Sequence, residues 1–244
     1  MQSVSYQFDR QISNYVLRLL SGIEFCILAQ VYFQFLIEME KNFPAKVRDY
    51  LSTCTVGIAG CGGLGSTCAI NLARAGVGKL VIADFDIVTP ENLERQYYFR
   101  DQIGKLKVLA LKDNIERIDP SISVKAFDLK LCSSDIMELF AGCDIIVEAF
   151  DRAEMKQMII ETTLNDMPDK HLVTGCGLAG WGKTDILRVE RLGKVIVCGD
   201  QISEVTPETP LTAPRVGIVA NMEANEVIEL LMQKFLKENE DLTK

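Results

Sequence analysis

Val56-Gly57-Ile58-Ala59-Gly60-Cys61-Gly62-Gly63-Leu64-Gly65 decides how this chain is read. A short apolar run ends in Gly-x-Gly-x-x-Gly, and Ser66-Thr67-Cys68-Ala69-Ile70-Asn71-Leu72-Ala73-Arg74-Ala75 follows at once. The run reads as a buried strand, and the following segment as a helix with small residues on one face. Strand, glycine loop and helix in that order let main-chain N–H groups and a helix N-terminus approach a phosphate. Gly60 can take the tight turn, Gly62 leaves room for a ligand, and Gly65 allows close helix–strand packing. The pattern alone is weak evidence, but here it has its full context, and a nucleotide is the expected ligand.

From Val47 onward strands and helices alternate, which predicts an α/β fold of the Rossmann-like, doubly wound type with a mainly parallel sheet. Strands are expected at Thr55–Gly60, Lys79–Asp84, Ser123–Phe127, Asp144–Glu148 and His171–Gly175. Helices are expected at Leu64–Ala75, Lys105–Arg117, Ser133–Phe140 and Ala153–Asn165. Thr184–Glu190 and Lys194–Cys198 read as an added antiparallel pair joined at Leu192-Gly193. Val216–Lys237 closes as an amphipathic helix whose apolar side includes Ile218, Val219, Met222, Ala224, Val227, Ile228 and Leu231. Asp200–Arg215, with prolines at 207, 210 and 214, reads as a long loop of the kind that is often functional.

Ahead of this domain (46–244) lies an N-terminal helical extension, residues 1–45. Ile12, Tyr15, Val16, Leu19, Leu20 and Ile23 begin a helical periodicity that continues to Leu36. Arg18, Glu24, Gln30, Gln34 and Glu38 interrupt it, which makes it too polar for a membrane span. A helix packed on the main domain and an oligomer contact both account for it.

At 244 residues the chain can bury one sizeable core and carry an appendage. With 48% apolar and 25% charged residues it belongs to the soluble globular class. A net charge of −8 argues against nucleic acid as the main partner, because phosphate contacts need a basic surface. The 8 cysteines include no C-x-x-C pair, and with His171 as the single histidine no zinc site is recognisable. No signal-peptide pattern opens the chain, so a reducing, cytoplasmic setting is expected, with most cysteines acting as small buried hydrophobes.

The second strand ends at Asp84, 19 residues beyond Gly65, where a carboxylate can accept hydrogen bonds from ribose hydroxyls. A dehydrogenase and an ATP enzyme both fit so far. Asn92, Arg95 and Gln96 follow within a turn or two, and a guanidinium there suits a triphosphate better than a dinucleotide. Lys107 adds a second cation near the start of the next helix. An NAD-dependent oxidoreductase is the distant alternative, since no catalytic histidine or tyrosine stands in an evident motif.

Gly60-x-Gly62-Gly63-x-Gly65, Ala83-Asp84-Phe85-Asp86, Asn92-Leu93-x-Arg95-Gln96, Gly104-x-x-Lys107 and Asp119-Pro120 together resemble the ubiquitin-activating-enzyme-like superfamily. Its bacterial members include the ThiF, MoeB and HesA adenylyltransferases that activate sulfur carriers, and the similarity spans about residues 50–235. Cys198-Gly199-Asp200 and Ala213-Pro214-Arg215-Val216-Gly217-Ile218 look most like the short, zinc-lacking ThiF branch of thiamine biosynthesis. The resemblance implies that Asp84 holds the ribose, with Asp86 and Gln96 completing the nucleotide set. It implies that Asn92, Arg95 and Lys107 hold phosphates and that Asp151 holds the magnesium of MgATP. The implied reaction is adenylation of the C-terminal glycine of a small ubiquitin-like carrier ending in Gly-Gly, catalysed through Arg95, Lys107 and Asp151 in a homodimer. A molybdopterin-type carrier and an idle subunit of a heterodimeric activating enzyme are the alternatives.

This chain departs from the pattern at three places. It carries Asp151-Arg152 where many members have Asp-Asn, and Asp151 also reads as a helix N-cap. Arg10 resembles the arginine that members lend to a partner subunit, but it lies 50 residues before Gly60, and Lys41 and Arg48 are nearer. No cysteine lies between Gly199 and Arg215, so Cys198 is the nearest thioester or persulfide candidate, with a buried strand-end thiol as the plainer reading. Trp181 reads as a packing aromatic or as a lining of the carrier-tail channel.

Overall fold

The structure is a computed structural model and describes residues 45–240. The periodic stretch 11–40, Arg10 and Lys41 lie outside the described residues. A helix over 45–53 leads into β1 (Thr55–Ala59), α1 (Gly63–Ala75) and β2 (Lys79–Asp84). There follow α2 (Lys107–Glu116), β3 (Ser123–Asp128), α3 (Ser133–Phe140), β4 (Ile145–Glu148), α4 (Ala153–Asp166) and β5 (His171–Gly175). The chain continues through β6 (Arg188–Leu192) and β7 (Val195–Gly199) to the 28-residue α5 (Ala213–Glu240).

The seven strands form one sheet in the order β3-β2-β1-β4-β5-β7-β6. Every neighbouring pair is parallel except β6–β7, so the expected antiparallel addition is a single reversed edge strand. Thr184–Ile186, expected to open that strand, is instead a 3-10 turn, and the strand begins at Arg188. β1, β4 and β5 are almost wholly buried, as strands covered on both faces must be.

Helices α2, α1 and α5 adjoin one another on one face, and α3 pairs with α4 on the other. Under α3 and α4, Ala59, Ile136, Phe140, Ile146, Ile159 and Leu172 pack into one apolar cluster. α5 starts at Ala213, two residues before the expected end of the loop, because proline is tolerated in a helix's first turn and Pro214 takes that place. Its buried stripe runs through Val216, Val219, Ala220, Ala224, Val227 and Leu231, whereas Ile218 faces outward at 37% exposure. No helix among the described residues is long and apolar enough to cross a membrane.

Candidate active site

The first two crossovers run from β1 toward β3, and the next turns back to place β4 on β1's other side. Between β1 and β4 the loops leave in opposite directions, and the crevice at their carboxyl ends is where such sheets bind ligands. A cleft of about 290 Å³ opens there, walled by the glycine loop, the ends of β2 and β4, and two later loops. Gly60 sits at φ +99°, and a Cβ on it would lie 2.7 Å from the Ala149 carbonyl oxygen. A Cβ on Gly65 would lie 1.9 Å from the Gly60 carbonyl oxygen, so α1 can start this close to β1 only without a side chain. Gly60, Gly62 and Gly63 line the cleft directly.

Asp84 ends β2 on the opposite lip. Its Oδ2 accepts the Cys61 N–H at 2.6 Å and its Oδ1 the Asp86 N–H at 2.8 Å, tying the glycine loop to β2. Burial raises the Asp84 carboxyl above its ordinary pKa, opposed by those two N–H bonds and by Lys107. Lys107 reaches this lip because residues 104–107 pair back on the β2 exit. Its N–H donates to the Asp86 carbonyl at 2.9 Å, and its ammonium sits 2.7 Å from Asp86 Oδ2. The expected phosphate cation is therefore already an ion-pair partner, and Asp86 is the carboxylate that fixes it.

Arg95 and Gln96 are brought against the glycine loop. A Cβ on Gly63 would lie 3.8 Å from Arg95 Cγ, and one on Gly62 would lie 3.9 Å from Gln96 Nε2. Among the described residues, Arg95's guanidinium donates only to the Glu91 carbonyl oxygen, at 3.5 Å, which leaves it available to a phosphate. Asn92 stands outside the cleft lining. Its Oδ1 accepts the Thr89 N–H at 3.1 Å and caps the 3-10 turn Pro90–Glu94 that presents Arg95.

Asp151 lines the cleft on the β4 side and is exposed. The N-cap of α4 is Arg152, with no side-chain cap bond, so Asp151's carboxylate is not spent on capping. Magnesium fits a lone carboxylate here, because it is held by one or two carboxylates together with phosphate oxygens and water. No cluster of three or more metal-ligating side chains exists among the described residues.

Arg48 lies against Gly76, at the far end of the 13-residue α1, about 20 Å from the glycine loop at 1.5 Å per residue. Cys198 is fully buried, and burial pushes its thiol well up, which leaves it a packing residue. Trp181 is 65% exposed, so it is not a core packing aromatic among the described residues, and it stands outside the cleft lining.

Several residues in or beneath the cleft gave a weaker signal in the sequence. Arg152 and Lys130 add cations to the lining. Beneath the β4 wall, Lys156 binds the fully buried Glu148 at 2.8 and 3.1 Å and the Gly175 carbonyl at 3.0 Å. Thr174, the cross-strand neighbour of Glu148, also donates to it, and the Phe150 N–H reaches Glu148 Oε1 at 2.6 Å. This pair holds the turn that carries Asp151. The signal was present as a lone carboxylate ending the buried run Ile145–Glu148, since such a charge needs a partner.

A model described as the ThiF family matches residues 37–244. The chain belongs to the ThiF family. Among curated relatives of this ThiF-family chain is the adenylyltransferase and sulfurtransferase UBA4 of Eremothecium gossypii, 30% identical over 78% of this chain and 44% of the relative. The molybdopterin-synthase adenylyltransferase of Salmonella typhimurium is 28% identical over 78% of each protein. The chain thus spans a little under half the length of the UBA4 relatives it matches. Among solved structures, E. coli tRNA N6-threonylcarbamoyladenosine dehydratase, TcdA, in complex with ATP shares the fold with a TM-score of 0.72. The alignment is 20% identical and covers 79% of this chain and 91% of that one.

Proposed function

We propose that this chain is an ATP-dependent adenylyltransferase that activates the C-terminal glycine carboxylate of a small ubiquitin-like sulfur carrier. The observation that carries the reading is a single crevice in which the glycine loop, Asp84, Arg95, Lys107 and Asp151 meet. The adenylyltransferase relatives support the reaction class.

Main-chain amides of Gly60–Gly65 and the start of α1 cradle the phosphates, and Asp84 accepts from the ribose hydroxyls. Arg95 neutralises charge on the polyphosphate. Lys107 does so from its fixed position beside Asp86, and Arg152 adds charge from the opposite rim. Asp151 would hold the magnesium, which supplies charge neutralisation on the phosphate oxygens when bound. A carboxylate oxygen of the carrier attacks the α-phosphorus, the bond to the bridging oxygen of the β-phosphate breaks, and pyrophosphate departs. No proton transfer is needed, so catalysis consists of alignment and electrostatics.

Within this reading the carrier belongs to thiamine thiazole synthesis, the chain to the short zinc-lacking ThiF branch, and the enzyme works as a cytoplasmic homodimer built from domains 1–45 and 46–244. The molybdopterin-type carrier is the second choice, favoured by the similarity to the Salmonella relative. The test is ATP–pyrophosphate exchange. Exchange should require Mg²⁺ and a carrier ending in Gly-Gly, and the carrier that supports it separates the two pathways. Absence of exchange with both carrier types would leave the idle-subunit reading instead.

A further inference from the structure

Two loops, 176–183 and 201–212, contribute one part of the cleft wall. Gly177, Leu178 and Ala179 of the first and Ser203, Val205 and Leu211 of the second line the cleft. These six residues carry no charge, so this wall is unsuited to a triphosphate and suits an extended peptide. The two loops are laced together. Gln201 N–H donates to the Cys176 carbonyl at 3.0 Å, Ala179 N–H to Ser203 Oγ at 3.1 Å, and Gly180 N–H to the Pro210 carbonyl at 2.8 Å.

One buried ion pair joins everything these loops hang from. Arg215, 4% exposed in the first turn of α5, donates to Asp200 Oδ2 at 2.6 Å. Its other terminal nitrogen donates to the carbonyls of Gly182 and Lys183, at the exit of the first loop. Asp200 closes the second loop's stem, because its Oδ1 accepts the N–H groups of Ile202 and Ser203 at 2.8 and 2.7 Å. A Cβ on Gly177 would lie 2.1 Å from Asp200 Oδ1, so the stem and the first loop touch directly. Apolar burial does not anchor the second loop, since Ile202 and Val205 are 76% and 64% exposed. A buried ion pair adds little net stability over apolar residues of the same volume, whereas it can fix one geometry.

We propose that Asp200–Arg215 is a positioning clasp that fixes the two-loop wall against the acceptor's C-terminal tail, and so governs affinity for the acceptor and not for ATP. The proposal rests on the adenylation reading for the identity of that acceptor.

Single removal of either charge would strand the other in the interior, so the informative variant is Asp200→Asn/Arg215→Met, which keeps the Oδ1 acceptor and the volume. With a Gly-Gly-ending ubiquitin-fold carrier that supports exchange by the wild type, the carrier KM should rise at least tenfold while kcat changes less than threefold. MgATP affinity by calorimetry should stay within twofold. Amide hydrogen exchange at Ala179, Gly180 and Gln201 should accelerate at least tenfold, with Cys61–Gly65 unchanged. Arg215→Lys, which keeps the charge but not the fork, should give an intermediate carrier KM. A double variant that keeps the wild-type carrier KM, or loses ATP affinity in parallel with it, overturns the clasp while leaving adenylation standing. A wild-type chain that exchanges with no carrier overturns both together.

Discussion

Lys156→Met offers a direct test of how the β4 wall is held. The substitution keeps the stem's length and removes the ammonium that pairs with Glu148, a carboxylate whose side chain is 0% exposed. Among the described residues the remaining partners are the Thr174 hydroxyl and the Phe150 N–H. Removing one member of a buried pair costs about 3–5 kcal/mol. Lys156 is 25% exposed, so water can screen part of the interaction and the lower end, about 3 kcal/mol, applies. For a domain of this size that lowers Tm by roughly 6–12 °C. Urea unfolding followed by far-ultraviolet circular dichroism is the suitable assay, because the single tryptophan, Trp181, is exposed and would report little. In Glu148→Gln/Lys156→Met no charge is left buried, and stability should return to within about 1 kcal/mol of wild type. A loss below about 1 kcal/mol in Lys156→Met, or a double variant no better than the single, would refute the reasoning.

Gly65→Ala forces a Cβ to within 1.9 Å of the Gly60 oxygen, far inside an ordinary C···O contact of about 3.3 Å, so the loop must move by over an ångström. Calorimetry should show MgATP affinity lowered at least tenfold, and an unchanged affinity would mean the loop does not touch the nucleotide. Arg95→Ala and Asp151→Asn should each slow ATP–pyrophosphate exchange at least tenfold, about 1.4 kcal/mol of transition-state stabilisation; near-normal rates would remove those roles. Glu223, buried with neither carboxyl oxygen hydrogen-bonded among the described residues, has its pKa raised well above normal by burial and by Glu148, against the pull of Lys156. A raised folded pKa means the native state holds its proton longer, so stability falls as pH rises from about 4.3 toward that folded value. Glu223→Gln should therefore raise Tm at pH 8 and make little difference near pH 4; equal shifts at both pH values would contradict this.

The strand–glycine–helix unit was legible because its signals are local: an apolar run, fixed glycine spacing and small residues on one helix face. Asp84 was legible for the same reason, since it closes the strand that must lie beside β1. Asp151 reads as a cap or a metal ligand and Asn92 as a phosphate ligand, yet a polar side chain at a turn can either cap or bind, and only the three-dimensional arrangement distinguishes the two. Asn92 turned out to cap, whereas Asp151 does not. Ile218 was placed on the buried side of α5 because its apolar residues surround more than one face, and only the packing against α1 and the sheet decides which face is covered.

The sequence by itself determined the doubly wound architecture, the position of the glycine loop and the carboxylate that ends β2, all consequences of hydrophobic period and backbone sterics over a few residues. Tertiary structure alone decided that Lys107 is held by Asp86, that Glu148 and Lys156 support the turn before Asp151, and that Asp200 meets Arg215 across the loop between them. The physical reason is that a buried charge must find its counter-charge in space. Which counter-charge it meets depends on how each segment leaving a strand folds back on that strand's end, and local spacing along the chain does not encode that path.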